Sequence, residues 1–155
     1  MRTFYRLRDE YQSNHVITLV LNYSNFNAMR CLELSRNEIW EQRLREAARL
    51  HGDECVGLAI GIRAVDIVER ELRITTDRSA LQVRVGTKEC LADAFKALLG
   101  LDKGQVECVK PRDGVIRVKN GIEGIELHLT PNKLRQVSDA FERSEEELFP
   151  IIRRL

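Results

Sequence analysis

The sequence has no close pair of cysteines and no close pair of histidines. Cys31, Cys55, Cys90 and Cys108 are 24, 35 and 18 residues apart. Neither C-x-x-C nor H-x-x-x-H occurs, and those are the spacings on which sequence-readable zinc sites rest. Each cysteine sits in an apolar stretch and reads as a buried free thiol, so the expectation is no metal and no cofactor. A nucleophile motif is missing too: no G-x-S-x-G surrounds any serine. Gly57 and Gly61 make neither a P-loop nor a G-x-G-x-x-G. His15, His51 and His128 are isolated in sequence and read as surface residues. These absences leave no catalytic residue to name and point to a non-enzymatic protein.

Charge of one sign is also lacking. The net charge is +1, whereas a nucleic-acid coat protein carries a basic excess, because phosphate neutralisation supplies most of its affinity. Any basic face must therefore be balanced by an acidic one. Long apolar runs are absent: Val16–Leu21 is the longest and is interrupted by Thr18, far short of the roughly 20 residues a membrane helix needs. The basic N-terminus is not followed by an apolar segment of the signal-peptide kind. No membrane association and a cytoplasmic location are expected.

What is present suits an α+β fold. The 155 residues are 43% apolar, enough for a core that needs no staples. One compact domain over 1–155 is expected, with halves 1–100 and 101–155 meeting at the connector Gly100–Gly104. Residues 15–22 and 28–34 read as strands, dense in branched and aliphatic side chains. The four residues 24–27 form a turn between them. Ser35 and Glu38 have the spacing of a capping box. Trp40, Leu44 and Ala47 then recur on one stripe of a helix that His51-Gly52-Asp53 ends, so Trp40 is expected in the core. Residues 54–60, apolar on both faces, read as an interior strand. Gly61 turns the chain into a helix lined by Ile62, Val65, Val68 and Leu72.

Leu81, Val83 and Val85 alternate with polar residues as a half-exposed strand. A helix capped by Thr87 follows. Residues 105–130 read as a three-stranded antiparallel meander, turned at Pro111–Gly114 and at Asn120-Gly121, a strong hairpin dipeptide. A last helix runs from Thr130-Pro131 to Pro150, with Glu145, Glu146 and Glu147 as a solvated face. The expected architecture is a mixed sheet with covering helices. It comprises a βαβαβ first half, then a helix, the meander and a C-terminal helix.

The segment Ala59-Ile60-Gly61-Ile62-Arg63-Ala64-Val65-Asp66 joins the apolar strand to a helix that opens with a small-apolar pair. Together with the preceding Leu32-Glu33-Leu34-Ser35 and its amphipathic helix, it resembles the Alba superfamily of small nucleic-acid-binding proteins, including the stage V sporulation protein S family. The resemblance covers residues 29–85. Two departures are visible: only Arg36 supplies charge at the first strand–helix junction, and a helix begins at Thr87 where Alba proteins close with a basic hairpin. The resemblance implies sequence-independent binding of DNA or RNA through Arg36, Arg63 and Arg78. That Arg outnumbers Lys 19 to 6 suits forked phosphate contacts. The near-neutral charge suits the alternative, a protein–protein interaction or self-assembly module forming a homo-oligomer.

Overall fold

A computed structural model of the chain describes residues 15–20, 30–131 and 134–155, with only the backbone for strand residues up to 34. The arginine-bearing segment 1–14 and the turn expected at 24–27 lie outside the described residues. The chain divides after Ile39 into two compact units.

In the first unit, β1 (His15–Val20) and β2 (Arg30–Ser35) pair antiparallel, with His15 opposite Ser35 and Val20 opposite Arg30. Ser35 then opens helix α1 (Arg36–His51). The Glu38 N–H donates to Ser35 Oγ at 3.2 Å, and the Ser35 N–H donates to the Glu38 carboxylate at 2.7 Å. This is the reciprocal capping box that the S-x-x-E spacing predicts.

The second unit contains α1 from Trp40 onward, α2 (Val56–Glu71), β3 (Leu81–Val85), α3 (Glu89–Leu99), β4 (Val106–Cys108), β5 (Val115–Asn120), β6 (Glu123–His128), α4 (Val137–Glu142), α5 (Glu145–Leu148) and β7 (Ile151–Arg154). Five strands form one mixed sheet in the order β4-β3-β5-β6-β7. The expected α+β class with a mixed sheet is what the structure has. Leu81, Val83, Val85, Ile116, Val118, Ile125 and Leu127 are buried and join the core formed with α2 and α3. The alternate residues carry charge. Glu107, Arg84, Arg117, Glu126 and Arg153 stand in register, one per strand, and Arg84–Glu107 and Arg117–Glu126 are ion pairs. The β5–β6 hairpin closes on Gly121 and Ile122, and Gly121 takes φ +62°, the left-handed value a primed turn asks of its first residue. Trp40 is 4% exposed, in the core as expected, and stacks on Phe141 with ring centroids 5.6 Å apart.

Thr87 does not cap α3, whose N-cap is Lys88 with no side-chain hydrogen bond, and Cys108 is exposed where a buried thiol is expected. Four larger expectations also need correction. Residues 56–60, read as the end of an interior strand, are the first turns of α2, so the first half is not βαβαβ. The run is apolar on almost every side because α2 is buried on almost every side: Leu58 through Val65, then Ile67 and Val68. Periodicity cannot separate such a helix from an interior strand. Secondly, β4 does not belong to an antiparallel meander; it pairs parallel with β3 at the sheet edge. The helix between β3 and β4 returns the chain in the same direction, the crossover that parallel pairing needs. Thirdly, the last helix does not start at Thr130-Pro131: α4 begins at Val137 behind Gln136, and a break separates it from α5, because Ser144 starts a new capping box with Glu147. Finally, β7 was not foreseen. Its four residues, Ile-Ile-Arg-Arg, lack alternation and gain strand structure only by pairing with β6.

Gly57 and Gly61 lie one helical turn apart on the face of α2 that meets α3. A Cβ at Gly61 would sit 2.6 Å from the Ala94 Cβ and 3.1 Å from the Leu91 Cα. Alanine is favoured over glycine inside a helix by about 1 kcal/mol, so propensity alone makes Gly61→Ala stabilising. The contact with the α3 backbone should prevail, since overpacking costs about 1–3 kcal/mol. We expect Gly61→Ala to lower stability in denaturant unfolding. A more stable variant would show that α2 and α3 are not packed this closely.

Candidate metal centre

The centre is built where three helix ends meet. His51 is the last residue of α1. Gly52, at φ +97°, takes a conformation that costs glycine little and reverses the chain. Cys55 is the N-cap of α2, and its sulfur accepts the Leu58 N–H at 3.3 Å. Cys90 lies in the first turn of α3. It reaches the other two because residue 57 is glycine: a Cβ there would stand 2.9 Å from the Cys90 Cβ. The His51 ring nitrogen and the two sulfurs all lie within 4.8 Å of one another, each half-buried.

Behind these three stands an ordered second layer. Asp93, one turn along α3 from Cys90, meets His51 Nδ1 at 2.9 Å and accepts from Lys96 Nζ at 3.1 Å. Burial disfavours the Asp93 carboxylate, but the hydrogen bonds from His51 and Lys96 outweigh it and hold the pKa below its ordinary value. An ionised carboxylate only accepts, so His51 Nδ1 donates to it, which leaves Nε2 as the ring nitrogen available to a ligand. That nitrogen faces the Cys55 sulfur at 3.5 Å. Burial, then the neighbouring Cys55 sulfur, raises the Cys90 pKa. A bound cation reverses that balance, because it favours thiolate.

A nitrogen and two sulfurs form a donor set for zinc and similarly thiophilic ions, not for magnesium or calcium. Zinc–sulfur and zinc–nitrogen bonds of about 2.3 and 2.05 Å at a tetrahedral angle place the two donor atoms roughly 3.6 Å apart. The His51–Cys55 separation is 3.5 Å. That pair fits such an ion as it stands, and the Cys90 sulfur, within 4.8 Å of both, needs to approach by roughly 1 Å or less. The sequence reading, with no metal and His51 on the surface, missed this group. Its one sequence signal is the spacing of His51 and Cys55, four residues apart.

The three arginines singled out from the sequence lie elsewhere. Arg36 opens α1 in the first unit. Arg63 is 3% exposed. Its guanidinium donates to the Ala140 and Arg143 carbonyls, each at 2.8 Å, and lies 4.2 Å over the Trp40 ring. Arg78 donates to the Leu99 carbonyl at the end of α3 at 2.7 Å. Arg63 and Arg78 thus serve different elements of the second unit.

Comparison with known families matches residues 50–148 to the family described as "FmdE, Molybdenum formylmethanofuran dehydrogenase operon". The match covers well over half of the chain and includes His51, Cys55, Cys90 and Asp93. No curated protein matches the chain. The resemblance to the Alba superfamily is thereby corrected. It rested on a strand–glycine–helix junction at 59–66, and those residues lie within the single helix α2.

The surroundings of Arg63 make a prediction. Replacing it with Leu takes the Arg63 donors from one buried and one partly buried carbonyl and removes a cation from the Trp40 face. Each buried group left unpaired costs about 1–3 kcal/mol, so Arg63→Leu should lose roughly 2–4 kcal/mol in denaturant unfolding. Unchanged stability would mean that Arg63 does not hold α4 to α2.

Proposed function

The chain belongs to the FmdE family, and on that premise we propose that it is a metal-binding protein holding one thiophilic divalent ion of the zinc class through His51 Nε2, Cys55 Sγ and Cys90 Sγ. The observation that carries the reading is the convergence of these three donors from three helix ends, with His51 already oriented by Asp93. A carboxylate behind a ligating histidine fixes its tautomer and raises its basicity. The Leu58 N–H at the start of α2 points at the Cys55 sulfur and helps to fix its position. The family description supports the reading, since it refers to the operon of a molybdenum enzyme.

Three protein donors leave a tetrahedral ion one further position, the arrangement found in catalytic and ligand-exchanging sites as opposed to closed structural ones. A bound ion would supply Lewis acidity at that position. The chain's own part is to orient His51 through Asp93 and to keep the sulfurs half-buried. Nucleic-acid binding through Arg36, Arg63 and Arg78 remains a separate proposal. The guanidinium groups of Arg63 and Arg78 already donate to backbone carbonyls of the second unit, which counts against it.

The test is a zinc titration of the full, chelator-treated chain in competition with a chromophoric chelator. One ion should bind per chain. His51→Ala, Cys55→Ser and Cys90→Ser should each abolish stoichiometric binding, while Cys108→Ser leaves it unchanged. Asp93→Asn keeps the donors but loses the charged partner of His51, and should weaken affinity about 10–100-fold. Cobalt(II) in place of zinc should show thiolate-to-metal absorption that either cysteine variant diminishes. Wild-type affinity in Cys55→Ser or Cys90→Ser would refute the assignment.

A further inference from the structure

We propose that Cys55 and Cys90 are also a redox pair: with no ion bound, Cys55 reduces a hydroperoxide and closes on Cys90 as a disulfide. The inference uses the same side chains as the proposed metal centre, and in that sense rests on that reading, but it does not need an ion to bind.

The geometry distinguishes the two sulfurs. Cys55 stands at the N-terminus of α2, where the Leu58 N–H points at its sulfur from 3.3 Å. His51 Nε2 lies 3.5 Å away, and Asp93 holds the other ring nitrogen at 2.9 Å. A cysteine beside a histidine that a carboxylate orients is the arrangement of an activated nucleophile. Cys90 lacks the 3.5 Å histidine contact of Cys55, but its sulfur is within 4.8 Å of the other two donor atoms. It is placed to resolve. The gap over Gly57 gives the sulfurs room to meet: a Cβ there would lie 3.3 Å from Cys90 Sγ and 3.8 Å from Cys55 Sγ. A disulfide needs the sulfurs about 2.05 Å apart. Closing the difference takes roughly 3 Å or less, which a side chain covers by moving between staggered rotamers. Both residues are half-buried, so a small oxidant can enter.

The steps balance. The Cys55 thiol gives its proton to His51 Nε2, and the sulfur attacks the distal oxygen of ROOH. An S–O bond forms as the O–O bond breaks, and the departing alkoxide takes the proton from His51 to become ROH. The Cys90 sulfur then attacks the Cys55 sulfenic acid. The S–S bond forms, the S–O bond breaks, and hydroxide leaves with the Cys90 proton as water. Two thiols lose two electrons in all, and the peroxide is reduced to ROH and water. An external thiol would return the pair to the reduced state by exchange. The disulfide leaves only His51 of the three donors, so holding an ion and being oxidised exclude each other.

The experiment treats the full, chelator-stripped chain with one equivalent of hydrogen peroxide and maps the cysteines by peptide mass. The expected product is a Cys55–Cys90 link with Cys108 still a thiol. In Cys90→Ser, Cys55 should accumulate as a sulfenic acid that dimedone labels. In Cys55→Ser, peroxide consumption should fall to the background of free thiols. His51→Ala should slow the wild-type reaction on the order of 10²-fold, the usual contribution of one general base. Zinc-loaded protein should resist oxidation. A disulfide through Cys31 or Cys108, or peroxide consumed with Cys55 and Cys90 still reduced, overturns the proposal. The two readings fail separately. Disulfide formation without zinc binding removes the metal function alone. Zinc binding without Cys55–Cys90 oxidation in the stripped chain removes the redox pair alone.

Discussion

The contact of α2 with α3 through Gly57 and Gly61 underlies most of what the second unit does. Both glycines face α3 where no Cβ can be accommodated, so the backbones approach more closely than larger residues permit. One consequence is mechanical: α2 is enclosed along most of its length, and its apolar residues form the middle of the core. The other is chemical. The close approach at Gly57 brings the first turn of α3, with Cys90, onto the first turn of α2, with Cys55. The site is therefore a product of helix packing. Helix ends supply its donors, and the packing face decides which ends meet.

Two kinds of polar residue are buried or half-buried around this core, with different roles. Arg63 is enclosed and spends its guanidinium on the carbonyls of Ala140 and Arg143 and on the Trp40 ring, tying α4 to the helix that carries it. Such an interior cation needs this many partners because an unpaired charge there is very costly. Asp93 keeps partial contact with solvent and holds a chain of hydrogen bonds from Lys96 through to His51. The first arrangement stabilises a fold. The second holds the His51 ring so that Nε2 faces the Cys55 sulfur.

Much of the local structure was legible in the sequence. The Ser35–Glu38 box and the alternation of Leu81, Val83 and Val85 appear as expected, and the hairpin turn falls one residue beyond the Asn120-Gly121 dipeptide, at Gly121-Ile122. Trp40 proved to be core. The candidate site was not legible, although two of its members stand four residues apart. His51 and Cys55 straddle a helix end, so their spacing does not place them on one helix face. Cys90 and Asp93 are distant in the chain, and their own i, i+3 spacing reads simply as one helix face.

The sequence by itself determined those features whose cause lies within a few residues: caps, turns, and strands with one wet face. These depend on hydrogen bonds and side-chain periods that a short segment carries with it. Only the tertiary structure decided the rest. The residues from Val56 to Ile60 became helix because neighbours surround them on every side, where strand and helix patterns look alike. Val106–Cys108 took a parallel partner because α3 returns the chain to the edge of β3. Ile151–Arg154 became a strand by borrowing the hydrogen bonds of β6. Cys90 met His51 and Cys55 because two glycines let α3 settle against α2, a contact between segments some thirty residues apart that is encoded jointly by both helices and by neither alone.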